Sequence, residues 1–127
     1  VPRKLLLWRP APGKWSIQEI VCHLRDMERV FVERFTKNGH QDRPQLWMME
    51  NERVAERLRY REAEVAAAVR EFERLRGDTV ALLRALPAAV WQRTGVHPKR
   101  GEVTIESLVK LLAEHDENHL VRIRELR

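Results

Sequence analysis

The sequence predicts an all-α helical bundle, and three observations carry that reading. Glycine and proline number only five and six in 127 residues, and they gather in a few breaks. Between the breaks, apolar residues recur every three or four positions, the period of a helix with one buried face. No segment shows convincing strand alternation. At this length a single domain, residues 1–127, is expected, with room for a core that needs neither disulfides nor a structural metal.

The elements follow in order. "VPRKLLLWRPAPGK" holds three prolines and a glycine, so it reads as an extended opening segment whose "LLLW" packs onto something else. Ser16 stands three residues before Glu19, the spacing of a capping box, and starts the first long helix. Ile17, Ile20, Val21, Leu24, Met27, Phe31 and Phe35 give it one apolar stripe, and Asn38-Gly39 is its expected stop. "HQDRPQ" is a loop around Pro44, and "LWMMENERVAERLRY" is a shorter helix with a weaker pattern. A second long helix spans about residues 61–86 on Val65, Val69, Phe72, Leu75, Thr79, Leu82 and Leu86, with room for a kink at Gly77 and an end at Pro87. "AAVWQRTGVHPKRGEV" is a connector. Thr104 then caps a last helix that runs on Ile105, Leu108, Leu112, Ile123 and Leu126 to the C-terminus.

Composition narrows the function classes. No apolar run approaches the ~18 residues of a membrane span. The single cysteine, Cys22, excludes an internal disulfide framework and fits a reducing, cytoplasmic setting. The chain begins at Val1 rather than Met, which leaves upstream sequence or a removed leader open. The net charge of +5 comes from 19 arginines and five lysines set against 19 acidic residues. The signs interleave, as in "NERVAERLRYREAEV", which marks solvated helix faces rather than a nucleic-acid stripe.

The chemistry gathers in "LAEHDENHLVR", residues 112–122. Two histidines four apart share one side of a helix. With Ile105 at zero on a wheel of about 100° per residue, His115 falls near about 280°, His119 near about 320° and Asp116 near about 20°. Leu108 and Leu112 share that sector, so the last helix turns a polar cluster toward the interior. Burying it is costly unless the groups are paired, hydrogen-bonded or ligating. A lone histidine there would read as a satisfied core residue, but two at i, i+4 can present two nitrogens to one metal.

His23 lies at the edge of the first helix's stripe, where it can reach the same point from the facing side. Three imidazoles with one open position make up the ligand set of a catalytic zinc site, and nickel, iron or cobalt accept the same ligands. Asp26, one turn after His23, reads either as a residue orienting an imidazole or as a surface carboxylate. His97 reads as a second-rank site candidate or a turn-stabilising residue, His40 as exposed, and Cys22 as a small packing residue.

"GKWSIQEIVCHLRDME", followed much later by "HDENHLVRI", resembles the DinB/YfiT-like superfamily of metal-dependent enzymes. "WRPAPGKWS" and "WQRTGVHPKRGEVTIESLV" extend the likeness through nearly the whole chain. The resemblance implies a DinB-like four-helix bundle with a metal, zinc or nickel, on His23, His115 and His119. It also implies a small-molecule substrate, with a low-molecular-weight thiol as one reactant in some members. There is a departure: the family's first helix is absent here or lies upstream of Val1. Apolar surface left by that helix would be covered by self-association, so a homodimer is expected.

The leading expectation is a metal-dependent enzyme, a thiol S-transferase or a hydrolase, in which Asp116 orients a ligand or accepts a proton. The competing one is a non-catalytic bundle whose histidines hold a structural metal or simply hydrogen-bond, with its charged exterior serving a partner. Three evident ligands rather than four favour the open, enzymatic site.

Overall fold

The computed structural model describes residues 1–46, 48 and 51–127, with the side chains of Glu52 and Arg57 outside the description. In chain order these form α1 (Arg3–Leu6), α2 (Ile17–His40), α3 (Asn51–Arg57), a 3-10 turn (Tyr60–Glu62), α4 (Val65–Ala85) and a second 3-10 turn (Ala88–Gln92). β1 (Thr94–His97), β2 (Gly101–Thr104) and α5 (Ile105–Leu126) complete the chain. The predicted all-α bundle is present in its long helices, α4 and α5 both packing on α2.

Local chemistry sets the helix ends. The Ser16 hydroxyl accepts from the Glu19 amide at 3.3 Å while the Glu19 carboxylate accepts from the Ser16 amide at 3.2 Å, completing the expected capping box. Thr104 caps α5 in the same reciprocal way with Ser107. The helix predicted over about residues 61–86 starts later, at Val65. The Glu64 carboxylate caps it by accepting from the amides of Ala66 and Ala67 at 3.0 and 2.8 Å, and Arg59, in the left-handed region at φ 52°, turns the chain ahead of it. α4 runs as one continuous helix through Gly77.

Three other expectations need correction. The opening segment is not wholly extended, since Arg3–Leu6 make a single helical turn whose Leu5 and Leu6 pack on Ile17, Ile20, Leu24 and Leu126. Asn38-Gly39 does not stop α2, which runs on to His40. Asn38 spends its side chain elsewhere, donating to the Val103 carbonyl at 3.3 Å, and Gly39 stays helical under Leu86, where the absent side chain lets Leu86 sit close. The shorter helix begins at Asn51; Trp47, Met49 and Glu50 of its predicted span lie outside the described residues.

The connector, read as strandless, folds into a β-hairpin. β1 and β2 pair antiparallel from Thr94↔Thr104 to His97↔Gly101. The loop around Pro44 adds to it, Val96 donating to the Pro44 carbonyl and Leu46 to the Val96 carbonyl, both at 2.8 Å. Four residues per strand give too short an alternation to register as a pattern. Gly95 is what lets the hairpin lie against α2, because a Cβ there would run into the Asn38 amide.

The core falls into an upper and a lower part along α2 and α5. Met27, Val30, Phe31 and Phe35 meet Leu108 and Leu112 in one cluster, and Ile17, Ile20 and Leu24 meet Leu126 in another. Cys22 joins a third with Tyr60 and Ala68 and is fully buried, the packing role expected of it. α2 is therefore buried on nearly all sides, not along the single stripe that periodicity predicts.

Two glycines should respond oppositely to alanine. Gly95→Ala should displace fully buried Asn38 and lower stability by roughly 1–3 kcal/mol. Gly77→Ala, helical with open space around it, should raise it by about 1 kcal/mol. Urea unfolding midpoints of the two variants test the pair.

Candidate metal centre

Between the upper and lower clusters, one turn of α2 and two turns of α5 carry polar side chains. On α2, His23 follows Ile20 and adjoins Leu24 of one cluster and stands one turn before Met27 of the other; on α5, His115 and His119 lie between Leu112 and Leu126. One candidate ligand nitrogen from each of the three rings lies within 4.8 Å of the others. His23 Nε2 and His115 Nε2 approach to 3.0 Å, and the ring centroids are 4.8 Å apart for His23–His119 and 4.5 Å for His115–His119. The structure thus brings together the three histidines singled out by the sequence. It also sinks His23 deeper than expected, to 1% exposure rather than the rim of the core.

The donor set fits a divalent metal. Ligand nitrogens about 2.0–2.1 Å from zinc in a tetrahedral arrangement stand roughly 3.3 Å apart, close to the His23–His115 spacing. Hydrogen bonding alone leaves this cluster incomplete. One proton can join the two Nε2 atoms, yet His23 Nδ1 is buried with no partner among the described residues. Burial, then the neighbouring His115 and His119, pushes the His23 imidazole down to about 3, and burial followed by His115 pushes His119 down to about 4. Both rings are neutral at physiological pH, the form that ligates.

Around this centre runs a chain of charge-assisted bonds that the sequence did not reveal. Asp116 Oδ1 faces His115 Nδ1 at 3.2 Å. A proton held on Nδ1 by that carboxylate leaves the His115 Nε2 lone pair directed at the shared point. Arg76 of α4 clamps the other Asp116 oxygen and grips Glu28 of α2 with two bonds of 2.7 and 3.1 Å. Thr79 adds a donor to Glu28 at 3.0 Å. Burial works against the Asp116 charge, but the bonds from His115 and Arg76 outweigh it and hold the carboxyl below its usual range. Of the two roles expected of Asp116, this geometry supports the orienting one.

The other candidates separate. Asp26 neither orients an imidazole nor sits on the surface. It is buried and accepts from the Tyr60 hydroxyl at 2.5 Å and from Arg25 and Arg29. His97 stabilises a turn, its Nδ1 accepting from the Lys99 and Arg100 amides at 3.1 Å, and its ring also lines a cavity that reaches His115. His40 is exposed at the end of α2, as expected. Among the described residues, two cavities open on the histidines. One of about 520 Å³ reaches His115, one of about 360 Å³ reaches His119, and Asn51 lines both. Among the described residues no helix is long and apolar enough to cross a membrane.

Comparison with known proteins agrees with this architecture. Residues 1–123 match the DinB superfamily in sequence. The fold is similar to that of YfiT from Bacillus subtilis, described as a probable metal-dependent hydrolase with an unusual four-helix bundle topology. The TM-score is 0.93 at 24% identity, over 99% of this chain and 73% of that one. No curated protein matches the chain in sequence.

Two outcomes follow from the geometry. Asp116→Asn and Arg76→Gln should each weaken divalent-metal affinity by about 10–100-fold, the usual scale for a partner behind a ligand, which competition against a chromophoric chelator measures. In the metal-free protein, histidines with lowered pKa values favour unfolding as pH falls. The unfolded chain takes up protons below its ordinary value of 6.5 while the folded chain resists until about 3 and about 4. The thermal midpoint should therefore drop between about pH 7 and about pH 5, and drop less in His119→Gln.

Proposed function

The chain belongs to the DinB superfamily, and from that premise we propose that it is a metal-dependent enzyme acting on a small molecule. The observation that carries this reading is the meeting of His23, His115 and His119 nitrogens within 4.8 Å, beside open cavities rather than inside a sealed core. A structural site fills its coordination sphere with protein atoms, whereas three imidazoles leave a position for a reactant. A divalent ion held there, zinc or nickel by family precedent, would lower the pKa of a bound water or thiol and supply a nucleophile near neutral pH.

The chain's own residues position and shield. Asp116 fixes the His115 ring, and Arg76 with Glu28 fixes Asp116, so the ligand face is set before any reactant arrives. Trp15 lies 4.8 Å from the His23 ring and Phe31 lies 6.5 Å from the His115 ring, limiting water on those sides. Two cavities that converge on different histidines and share Asn51 suit two organic reactants better than one reactant and water. That arrangement favours transfer of a low-molecular-weight thiol to an electrophile over hydrolysis.

Protein purified without added metal should carry about one divalent ion per chain by elemental analysis, and His115→Ala should lose it. Wild-type protein free of metal, together with unchanged stability in His115→Ala, sinks the reading. With metal bound, consumption of a thiol with an electrophile such as monobromobimane should fall by at least about 100-fold in His115→Ala. Ester or amide cleavage without thiol consumption would assign hydrolysis instead.

A further inference from the structure

The cavity at His115 has a chemical polarity. Its inner wall is apolar, built by Met27 and Phe31 of α2 and Leu111 of α5. Its far end is cationic, with Arg34 of α2 and Lys99 and Arg100 from the hairpin turn. None of the described lining residues is acidic. Arg34 is 3% exposed, and its guanidinium lies 4.9 Å over the Phe31 ring, so its charge is held in place at the wall. Lys99 and Arg100 are exposed at the turn and form no ion pair among the described residues.

His97 completes that end. Its Nδ1 accepts two backbone amides, so its proton sits on Nε2, a neutral donor in the cavity lining. The like charges press on one another. Burial and then Arg100 lower the Arg34 pKa, and burial, Arg34, Arg100 and Lys99 lower that of His97. A bound anion would offset that repulsion.

Spacing along α2 ties this end to the metal centre. His23, Met27, Phe31 and Arg34 recur at helical intervals on one face. From His23 to Arg34 is 11 residues, about 16 Å of helix axis, and the side chains at both ends shorten the gap. We propose that this cavity is the binding site of an organic anion, a substrate whose carboxylate or similar oxyanion anchors on Arg34, Lys99 and Arg100. Its apolar body lies along Met27, Phe31 and Leu111, and its reacting atom reaches the three histidines. The inference rests on the metal-enzyme reading and adds to it the class of substrate.

A matched pair of thiols on cobalt(II)-loaded protein tests it. Mercaptohexanoate and mercaptohexanol share chain and thiol and differ in the terminal charge, and thiolate-to-cobalt absorption reports the binding of each. The acid should bind about tenfold more tightly, the scale of one charge-assisted hydrogen bond. The Lys99→Gln/Arg100→Gln double variant, altered only at exposed positions, should lose that preference with its cobalt spectrum unchanged. Arg34→Gln should lose it too, and Arg34→Lys should keep part of it. Equal affinity for the two thiols, or a preference that survives in the double variant, overturns the inference while leaving the metal reading standing. Wild-type protein that takes up no cobalt overturns both.

Discussion

The burial of α2 on nearly every side is the constraint from which the rest of the structure follows. The polar side chains that it buries cannot turn to solvent, so their partners come largely from other elements. Gln18 donates to the carbonyls of Tyr60 and Ala63 at 2.8 and 2.7 Å. Glu19 accepts from Arg9 and Arg61, Asp26 from Tyr60, and Glu28 from Arg76 and Thr79. Asn38 reaches the hairpin through the Val103 carbonyl. Apolar packing is non-directional and would tolerate many placements of the surrounding elements. These bonds are directional, and they select one.

The histidine cluster inherits its order from the same arrangement. Glu28, Arg76, Asp116 and His115 form a run that crosses from α2 through α4 to α5. Each charge in it has an opposite neighbour, which holds the carboxylates and the imidazole in one orientation. Removing one member would strand the next. The site is therefore a property of three helices docked together, although only two of them contribute histidines.

Sequence made some of this legible and hid the rest for physical reasons. The helices are encoded locally, in the Ser16–Glu19 box, the Thr104 cap and the repeat of apolar positions. The histidines were legible because wheel geometry links residues within one helix, and His115, Asp116 and His119 share one. Glu28 and Arg76 were not, since no periodicity relates side chains on different helices and both look like ordinary members of charged helix faces. The hairpin escaped because its strands have four residues each, and its placement depends on Asn38, 57 positions before Gly95. Asp26 could read as a surface carboxylate only while α2 was pictured with one buried stripe.

Cys22, the chain's one cysteine, is fully buried, with Sγ 4.0 Å from the Tyr60 carbonyl. Burial raises its pKa and keeps the thiolate scarce. It stands next in sequence to His23, yet belongs to the Tyr60–Ala68 cluster on another side of the helix. Electrophiles that reach these cavities therefore meet no cysteine among the described lining residues. A buried thiol of raised pKa is a poor partner for disulfide exchange, so the folded chain offers little to cross-link through under oxidising conditions.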